Sequence, residues 1–356
     1  MNSEPRIAFV LDTLPSIGGG EKVLFAALEA YPHSDIITLI YNKNVFAQSP
    51  IANRAIKTSW LDSLPFAHRH HRLLLPLMPT TIERINLHHY DIVVSFNYAV
   101  ANGANNHNGA RHVSYTHTPM RYAWTDSGWT KNPAFTWMMR LFRAWDQKAA
   151  SRVHAFATNS QTVSQRIRRA YGREARVIHP PVEVDRFRPS PQREDYFITV
   201  TRLVPHKRVD LIVEAFNRLH IPLLIVGDGP ELPRLKSIAE TNISFTGFQS
   251  DEKVAELLGN ARAFVCAAEE DFGIAIVEAQ AAGCPVIAYG SGGARETVIE
   301  NVTGLFFEEQ TVESLIEATQ RFEKTFDGFS PARAVQNALQ FNKPRFVREF
   351  ADFVSS

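Results

Sequence analysis

Glu270 and Glu278, with seven residues between them, are the pair of side chains in this sequence best suited to chemistry. The stretch Glu-Asp-Phe-Gly-Ile-Ala-Ile-Val-Glu places Glu270 in a predicted loop and Glu278 inside the predicted helix that follows. Carboxylates accept charge-assisted hydrogen bonds from hydroxyl groups, and backbone N–H groups of Phe272, Gly273 and Ile274 at the helix start suit anions or hydroxyls. The pair favours a ligand rich in hydroxyl groups. The spacing alone leaves open a structural alternative, an acidic helix N-terminus followed by a solvated glutamate.

Two basic residues follow another predicted strand. Arg202 and Lys207 lie in Thr-Arg-Leu-Val-Pro-His-Lys, directly after the apolar run at 197–201. In a parallel sheet, the loops after the strands meet at the carboxyl edge, where ligands bind. Arginine can hold a diphosphate bidentately and lysine can hold it as a point charge. The alternative is that both are ordinary exposed loop cations.

The first half of the chain offers a glycine-rich turn and a histidine. Gly18, Gly19 and Gly20 precede Glu21 and open a predicted helix, where backbone N–H groups can approach a phosphate. This pattern is neither G-x-G-x-x-G nor a Walker A motif. His117 ends a predicted strand and can donate to a hydroxyl or stabilise developing charge, although a structural role remains open. The sequence contains no Asp-x-Asp element, so it does not predict a metal ion bridging to a diphosphate.

These residues need elements that bring them to one edge. Short apolar runs alternate with helical patterns almost from end to end, which favours a doubly wound α/β architecture with buried parallel strands. The first half predicts strands at 7–11, 36–39, 92–96, 112–116 and 155–158. The second half predicts strands at 197–201, 223–226, 243–245, 263–267 and 285–288.

A chain of 356 residues is expected to form more than one domain. Prolines and mixed charges interrupt the α/β rhythm at 181–195, which predicts a hinge linker. The predicted domains are therefore 1–180 and 196–340. Residues 341–356 carry an apolar stripe at helical spacing, so this last helix is expected to pack back on the first domain.

Composition limits the classes of partner. A net charge of +1 argues against a nucleic-acid-binding role. The only cysteines, Cys266 and Cys284, lie in apolar surroundings and predict a reducing compartment rather than a disulfide framework. The N-terminal sequence lacks a signal-peptide pattern, and no apolar run is long enough to cross a membrane. A cytoplasmic protein is expected.

Seven motifs, in order along nearly the whole chain, resemble glycosyltransferase family 4, a large group of retaining enzymes with the GT-B fold. Each motif alone is weak, and the ordered set is strong. They are Gly18-Gly-Gly-Glu21, His117-Thr-Pro119, Asn159-Ser160, the run 181–187, Arg202 with Lys207, Gly227-Asp-Gly-Pro230, and Glu270 with Glu278. The phrases around His117 and Glu270 are most similar to bacterial mannosyltransferases of O-antigen and exopolysaccharide assembly.

The resemblance implies roles for the donor-side residues. The fold would consist of two facing Rossmann-like domains with a C-terminal helix crossing back to the first. Arg202 and Lys207 would hold the donor diphosphate, and Glu278 would bind the ribose hydroxyls. Glu270, together with the backbone at 272–274, would hold the transferred sugar. Phe248, after Gly247, would lie near the base.

In the first domain, the resemblance implies that the backbone of Gly19 touches the distal phosphate and that His117 faces the sugar. Gly20 replaces the family's frequent alanine, a change that should be tolerated. His117 and Glu270 are the residues expected to be catalytic. The chemistry would be mainly positioning and stabilisation of the leaving group, with the leaving diphosphate as base and no metal cofactor.

GDP-mannose is the donor expected from these phrases, with UDP-glucose or UDP-N-acetylglucosamine as alternatives. The expected acceptor is a saccharide, commonly linked to polyprenyl diphosphate, at the inner face of the cytoplasmic membrane. The segment 60–79 places apolar residues beside the basic cluster 68–72, which suits a peripheral contact with anionic lipid. A buried helical hairpin is the alternative for this segment. A non-catalytic sugar-nucleotide binder and a nucleotide-sugar epimerase on the same fold are competing functions.

Overall fold

A computed structural model describes residues 5–105, 109–124 and 133–356. The chain divides into two compact units. Unit 1 comprises residues 1–179 together with 346–356, and unit 2 comprises residues 180–345. Each unit contains one parallel sheet with helices on its faces, so the prediction of two α/β domains with parallel sheets is confirmed.

The sheet of unit 1 has seven strands in the order β3-β2-β1-β4-β5-β6-β7. Its central strands are almost entirely buried, as expected where helices cover both faces. The strands are β1 (Ile7–Leu11), β2 (Asp35–Thr38), β3 (Ile56–Thr58), β4 (Ile92–Asn97), β5 (Arg111–Thr116), β6 (Ala155–Thr158) and β7 (Ala175–Val177).

The helices of unit 1 range from single turns to nineteen residues. They are α1 (Gly19–Ala30), α2 (Ala67–His70), α3 (Met78–Glu83), α4 (Arg121–Trp124), α5 (Pro133–Ser151) and α6 (Gln161–Tyr171). Apolar clusters lie on both faces of the sheet: successive residues of β1, such as Phe9 and Val10, belong to different clusters. This alternation follows from the two-residue period of a strand.

The sheet of unit 2 has six strands in the order β10-β9-β8-β11-β12-β13. The strands are β8 (Phe197–Val200), β9 (Leu223–Val226), β10 (Ile243–Gly247), β11 (Ala263–Cys266), β12 (Val286–Tyr289) and β13 (Gly304–Phe307). The helices are α7 (Val209–Leu219), α8 (Leu232–Ile238), α9 (Asp251–Asn260), α10 (Ile274–Ala281), α11 (Ala294–Thr297), α12 (Val312–Thr325) and α13 (Pro331–Ala338). The order reverses between β8 and β11, and such a switch point opens a crevice at the carboxyl ends of the strands.

The last helix, α14 (Lys343–Ser355), buries its aromatic stripe in unit 1 from residue 346 onward. Phe346, Phe350, Phe353 and Val354 join the cluster formed by β1, β4 and β5. The Phe350 ring lies 6.2 Å from Phe9, and further ring contacts reach Phe96 and Tyr115. Offset and edge-on aromatic contacts of this kind stabilise beyond their buried area.

The segment 181–195, predicted as a linker, lies within unit 2. Val182, Val184 and Phe187 are buried in the same core cluster as β11 and α10. The Val182 N–H also donates to the Phe341 carbonyl at 2.9 Å. The prolines break the helix and strand pattern here, but the apolar residues between them still need burial. The prolines therefore indicated irregular structure at 181–195, but not a segment that stands apart from the core of unit 2.

Candidate functional site

The predicted donor-side residues of unit 2 lie in loops at one edge of its sheet. Arg202 and Lys207 follow β8, Phe248 follows β10, and Glu270 follows β11. Since all strands of this sheet are parallel, these loops share the carboxyl edge. The loops after β8 and β11 flank the switch point of the strand order.

Lys207 and Glu270 form an ion pair across that switch point. The Lys207 ammonium donates to both carboxylate oxygens of Glu270, at 2.6 Å to Oε1 and 2.8 Å to Oε2. The two side chains are 22% and 19% exposed, so the pair is shielded from water but still reachable. The sequence predicted both residues at this edge and did not predict that they bind each other. Each lies where it could exchange this partner for a group on a ligand.

Two glycines hold the loop of Arg202 and Lys207 against its neighbour. A Cβ at Gly227, whose φ is +134°, would lie 1.9 Å from the Thr201 carbonyl oxygen, and one at Gly229 would lie 2.2 Å from the Leu203 oxygen. The Leu203 N–H donates to the Asp228 carbonyl at 2.9 Å. The Gly-Asp-Gly motif therefore has a steric role: it lets two backbones touch and fixes the base of the Arg202–Lys207 loop.

A second glycine pair supports Glu270. The Gly293 N–H donates to the Glu270 carbonyl at 2.8 Å, and a Cβ at Gly292 would lie 2.3 Å from that carbonyl oxygen. A Cβ at Gly293 would meet the Phe272 backbone at 2.3 Å. The sequence analysis did not single out these glycines, although the run Gly-Ser-Gly-Gly at 290–293 is visible in the sequence. They fix the backbone that carries Glu270.

Gly273 caps α10 in the left-handed conformation, with φ +92°. This residue turns the chain from the Glu270 loop into the helix and presents the helix N-terminus at the sheet edge. The Phe272 side chain is buried in the core, so the backbone is its part available to a ligand. Ile274 is the first residue of α10. The predicted role of residues 272–274 through their N–H groups fits this arrangement.

Glu278 is buried, which excludes the alternative of a solvated helix glutamate. Its Oε1 lies 3.4 Å from a guanidinium nitrogen of Arg186, which also pairs with Asp251 and stacks on Phe187. The contact with a guanidinium offsets part of the cost of burying this carboxylate. Arg186 lies in the motif at 181–187, but the sequence analysis gave it no role.

The remaining donor-side residues lie on the surface of unit 2. Arg202 is exposed, and Phe248 is 84% exposed, which is unusual for a large aromatic side chain. Gly247 precedes Phe248 with a φ of +70° and accepts the Gly227 N–H on its carbonyl. An exposed aromatic ring held on a strand end offers a flat surface for stacking. Its predicted place near a base stays a prediction.

In unit 1, the glycine-rich turn and His117 meet. Gly18 caps α1, and its N–H donates to Glu21 Oε2 at 2.8 Å. A Cβ at Gly20 would lie 3.6 Å from His117 Nε2, so the imidazole rests directly against the turn. Burial raises the pKa of Glu21 to about 7, although its hydrogen bonds to backbone N–H groups oppose that shift. The structure thus places Gly19 and His117 at the same edge.

The backbone of His117 is fixed from both sides. Its N–H donates to the Asn97 carbonyl at 2.8 Å, and Asn159 Nδ2 donates to its carbonyl at 3.0 Å. Its ring contacts the Tyr115 ring edge-on, with 5.2 Å between centroids. This explains the Asn159-Ser160 motif: the amide of Asn159 positions the histidine, and Ser160 caps α6 by accepting the Val163 N–H.

Asp12, which the sequence analysis missed, organises the switch point of unit 1. It follows β1 and accepts four backbone N–H bonds from the turn after β4, at Tyr98, Ala99, Val100 and Ala101. Burial raises the pKa of Asp12 to about 6 despite these hydrogen bonds, which favour the charged form. The Leu-Asp-Thr end of an apolar strand is the only sequence signal for this role.

The described parts of the chain offer few side chains for metal binding or for thiol chemistry. Within residues 5–105, 109–124 and 133–356, no three side chains among His, Cys, Asp and Glu are grouped to hold a metal ion. Cys266 and Cys284 are buried free thiols, and burial raises the pKa of each to about 12. They are therefore not activated nucleophiles.

The segment 60–79 forms short helical turns rather than a hairpin of two long helices. Apolar side chains are left on its surface: Trp60 is 56% exposed, Phe66 74% and Leu73 77%. Arg69 and Arg72 are exposed beside them. None of the described helices is long and apolar enough to cross a membrane.

Comparison with protein families agrees with the order of these motifs. A family model described as Glycosyltransferase Family 4 matches residues 17–186. A second, described as Glycosyl transferases group 1, matches residues 183–340. Together the two models cover both units, including His117 in the first range and Arg202, Lys207 and Glu270 in the second.

Curated relatives match part of the chain. The GDP-mannose-dependent alpha-(1-6)-phosphatidylinositol monomannoside mannosyltransferase of Mycobacterium tuberculosis is 35% identical over 191 residues, covering 45% of this chain and 50% of that protein. The GDP-mannose-dependent monoacylated alpha-(1-6)-phosphatidylinositol monomannoside mannosyltransferase of Corynebacterium glutamicum is 32% identical over 222 residues, covering 53% and 56%. The chain therefore spans about half the length of the curated relatives it matches.

Solved structures resemble the whole chain. Anabaena HepE, solved in complex with UDP and glucose, superposes with a TM-score of 0.75 at 19% identity, covering 99% of this chain and all of that one. Sucrose-phosphate synthase from Thermosynechococcus elongatus gives a TM-score of 0.78 at 18% identity, covering 98% of both chains. At such identities the likeness concerns the fold alone, and it confirms the predicted GT-B class.

Proposed function

Since the chain belongs to glycosyltransferase family 4, we propose that it is a retaining hexosyltransferase that transfers mannose from GDP-mannose to a saccharide acceptor. The observation that carries the proposal is the pairing of Lys207 and Glu270 at the switch point of unit 2, beside the N-terminus of α10. A cation for a diphosphate and a carboxylate for sugar hydroxyls lie together there, at the edge where α/β sheets bind ligands.

The donor side of the proposal assigns one part of GDP-mannose to each group. Arg202 and Lys207 bind the diphosphate, Glu278 binds the ribose, and Glu270 binds the mannosyl hydroxyls with help from the N–H groups at 272–274. Phe248 lies near the guanine. In unit 1, Gly19 contacts the distal phosphate and His117 contacts the sugar. The named relatives use GDP-mannose, which supports this donor over UDP-glucose or UDP-N-acetylglucosamine.

In the proposed reaction, the bond from the anomeric carbon to the diphosphate oxygen breaks and a bond to the acceptor oxygen forms on the same face. The acceptor proton passes to the leaving diphosphate. Positioning and charge stabilisation by Arg202 and Lys207 lower the barrier, so no carboxylate base is required. The reaction is proposed to proceed without a metal cofactor. Transfer should therefore persist in EDTA, and its loss with recovery on adding magnesium or manganese would contradict this part.

A donor panel tests the proposal directly. Thermal unfolding is measured with GDP-mannose, UDP-glucose, UDP-N-acetylglucosamine and GDP, since a bound ligand raises the melting temperature by mass action. GDP-mannose should stabilise the chain, and release of GDP should increase when a mannoside acceptor is added. Stabilisation by a UDP-sugar alone would overturn the donor assignment. Binding without any GDP release would favour a non-catalytic binder. Conversion of a UDP-sugar into its epimer without net release of UDP would favour an epimerase.

The acceptor is proposed to be lipid-linked, with the membrane met by the surface of residues 60–79. Exposed Phe66 and Leu73 beside Arg69 and Arg72 combine apolar anchors with cations, the composition that binds anionic lipid surfaces. A polyprenyl-diphosphate saccharide, as in O-antigen or exopolysaccharide assembly, and a glycosylated phospholipid, as in the names of the relatives, are both lipid-linked acceptors. The site of action would be the cytoplasmic face of the membrane.

Charge reversal tests this surface. Arg69→Glu combined with Arg72→Glu should weaken binding to anionic vesicles by at least about thirtyfold, at roughly 1 kcal/mol for each of the two cations removed near the surface. Transfer to a short water-soluble acceptor should remain near normal in the same variant. Arg166→Glu combined with Arg169→Glu, on α6, serves as the charge-matched control. If the wild type does not bind vesicles, or if both double variants behave alike, the membrane assignment is wrong.

A further inference from the structure

A groove of about 400 Å³ opens in unit 1, and its lining includes neither the glycine-rich turn nor His117. It lies beside β3, the edge strand of the sheet, and the last turn of α3. Its lining includes Lys57, Thr58, Trp60, Arg84 and Asn86. The family motifs in the sequence contain none of these residues, and among them only Trp60 belongs to the segment 60–79 proposed above to meet the membrane.

The groove is lined by two basic side chains. Lys57 and Arg84 are cations, and among the described residues that line it none is acidic. The Lys57 ammonium donates to Asp35 at 2.8 Å and to the Tyr90 hydroxyl at 2.7 Å, and hydrogen bonding to Asp35 raises the pKa of Lys57. The side chain of Lys57 remains 60% exposed. Arg84 is exposed, and its guanidinium forms no ion pair with any residue that the structure describes.

Trp60 supplies a flat apolar wall. Its side chain is left 56% exposed at the start of a short helical turn, where burial would be expected for an indole. The turn is well anchored: Ser59 Oγ donates to the Leu39 carbonyl at 2.8 Å and accepts the Leu61 N–H at 3.2 Å. The position of the indole at the groove is thus set by the anchored backbone of this turn, and its face is left uncovered.

We propose that this groove binds a phosphate ester of a ring-shaped polyol or sugar. The guanidinium of Arg84 takes phosphate oxygens bidentately, Lys57 adds a point charge, and Trp60 covers the apolar face of the ring. Thr58 and Asn86 offer hydroxyl and amide groups to the ring hydroxyls. The phosphate can belong to a lipid headgroup or to a soluble ester. Binding of the phosphate ester does not depend on the proposed function. Only the statement that this ligand is the acceptor rests on it.

The test measures binding rather than transfer, so its failure is distinct from failure of the mannosyltransferase assignment. Calorimetry with the full chain compares inositol phosphate with uncharged inositol. Co-sedimentation compares phosphatidylinositol vesicles with phosphatidylcholine vesicles. Arg84→Ala should weaken binding of the phosphate ester by about ten- to a hundredfold, the effect of one charged hydrogen bond. Trp60→Ala should weaken it as well, since it removes the ring contact.

The controls keep charge and aromatic content matched. Arg140→Ala and Trp137→Ala remove an exposed arginine and an exposed tryptophan from α5, outside the groove, and should leave binding unchanged. Binding of inositol phosphate that Arg84→Ala abolishes identifies a soluble ester as sufficient. Arg84-dependent binding to phosphatidylinositol vesicles alone identifies the lipid headgroup. Absence of all Arg84-dependent binding refutes the inference, as does vesicle binding that only Arg69→Glu with Arg72→Glu removes.

Discussion

Breaking the Lys207–Glu270 pair from each side gives the sharpest test of the donor site. The perturbations are Lys207→Met, Glu270→Gln and the double variant, all close in volume to the wild-type side chains. Lys207→Met leaves a mostly shielded carboxylate without its bidentate partner, and Glu270→Gln removes the negative charge that faces the Lys207 ammonium. We therefore expect Lys207→Met to raise KM for GDP-mannose and also to lower kcat, and Glu270→Gln mainly to lower kcat.

The size of the coupling follows from the geometry. Exposed ion pairs contribute about 0.2–1 kcal/mol, and hydrogen bonds to charged groups contribute about 1.5–3 kcal/mol. Because both side chains are about four-fifths shielded, the coupling in kcat/KM should be about 1–3 kcal/mol, or about 5- to 150-fold. The double variant should accordingly lose less than the product of the two single losses.

The assay is the initial rate of GDP release at saturating acceptor across a range of GDP-mannose concentrations. Urea unfolding of each variant separates lost stability from lost catalysis. Arg218 and Glu313 form the matched control, an ion pair of 2.7 Å between α7 and α12 with both side chains more than half exposed. Its cycle should leave kcat/KM unchanged. Additive losses at Lys207 and Glu270, within about 0.5 kcal/mol, would refute a shared role in the donor site.

Two further predictions concern the framework of the units. Burial raises the pKa of Asp146 from 3.8 to about 6, while Trp124 and Tyr171 donate to its Oδ2. As the pH rises, this carboxyl group therefore ionises in the unfolded state before it ionises in the folded state. The wild-type free energy of unfolding should fall by about 3 kcal/mol between about pH 4 and pH 7 from this group alone. Asp146→Asn keeps an acceptor for both donors and should show a smaller fall in urea unfolding, and an unchanged pH slope would contradict it. Gly227→Ala should disturb the Arg202–Lys207 loop and reduce the GDP-mannose thermal shift, because its Cβ meets the Thr201 oxygen at 1.9 Å. Gly172→Ala is the control: it is also at positive φ but has open space, so it should cost only about 1–2 kcal/mol of stability and leave donor binding intact.

The sequence analysis predicted the central strands of both sheets and missed three edge strands, β3, β7 and β13, although β13 (Gly304–Phe307) is a buried apolar run. The central strands of both sheets lie where the pattern placed them. Strand β3 (Ile56–Thr58) has an intermediate residue followed by two exposed ones, and β7 (Ala175–Val177) has an exposed residue at its centre. Both lie at sheet edges, where one side of the strand has no neighbour and burial no longer selects apolar residues. Periodicity cannot detect such strands.

The sequence predicted the basic and acidic residues of the candidate site, because residue type and position after a strand are local features. It did not predict which of these side chains contact one another. The contact between Lys207 and Glu270 joins residues 63 apart, and that between Arg186 and Glu278 joins residues 92 apart. Loops after neighbouring parallel strands are brought together by the order of strands in the sheet, which no local pattern reveals. The glycines at 292–293 act in the same way, through backbone contact between two loops.

The two switch points differ in a way that supports the proposal that unit 2 binds the donor. In unit 1, the N–H groups after β4 at the switch point are bound by the buried carboxylate of Asp12, so they are not available to a phosphate. In unit 2, the corresponding crevice between β8 and β11 is spanned by Lys207 and Glu270, whose flexible side chains can separate and take new partners. One fold thus uses the same position in two ways. In unit 1 a fixed carboxylate holds the backbone near His117, and in unit 2 we propose that the ion pair exchanges its contacts for a diphosphate and a sugar.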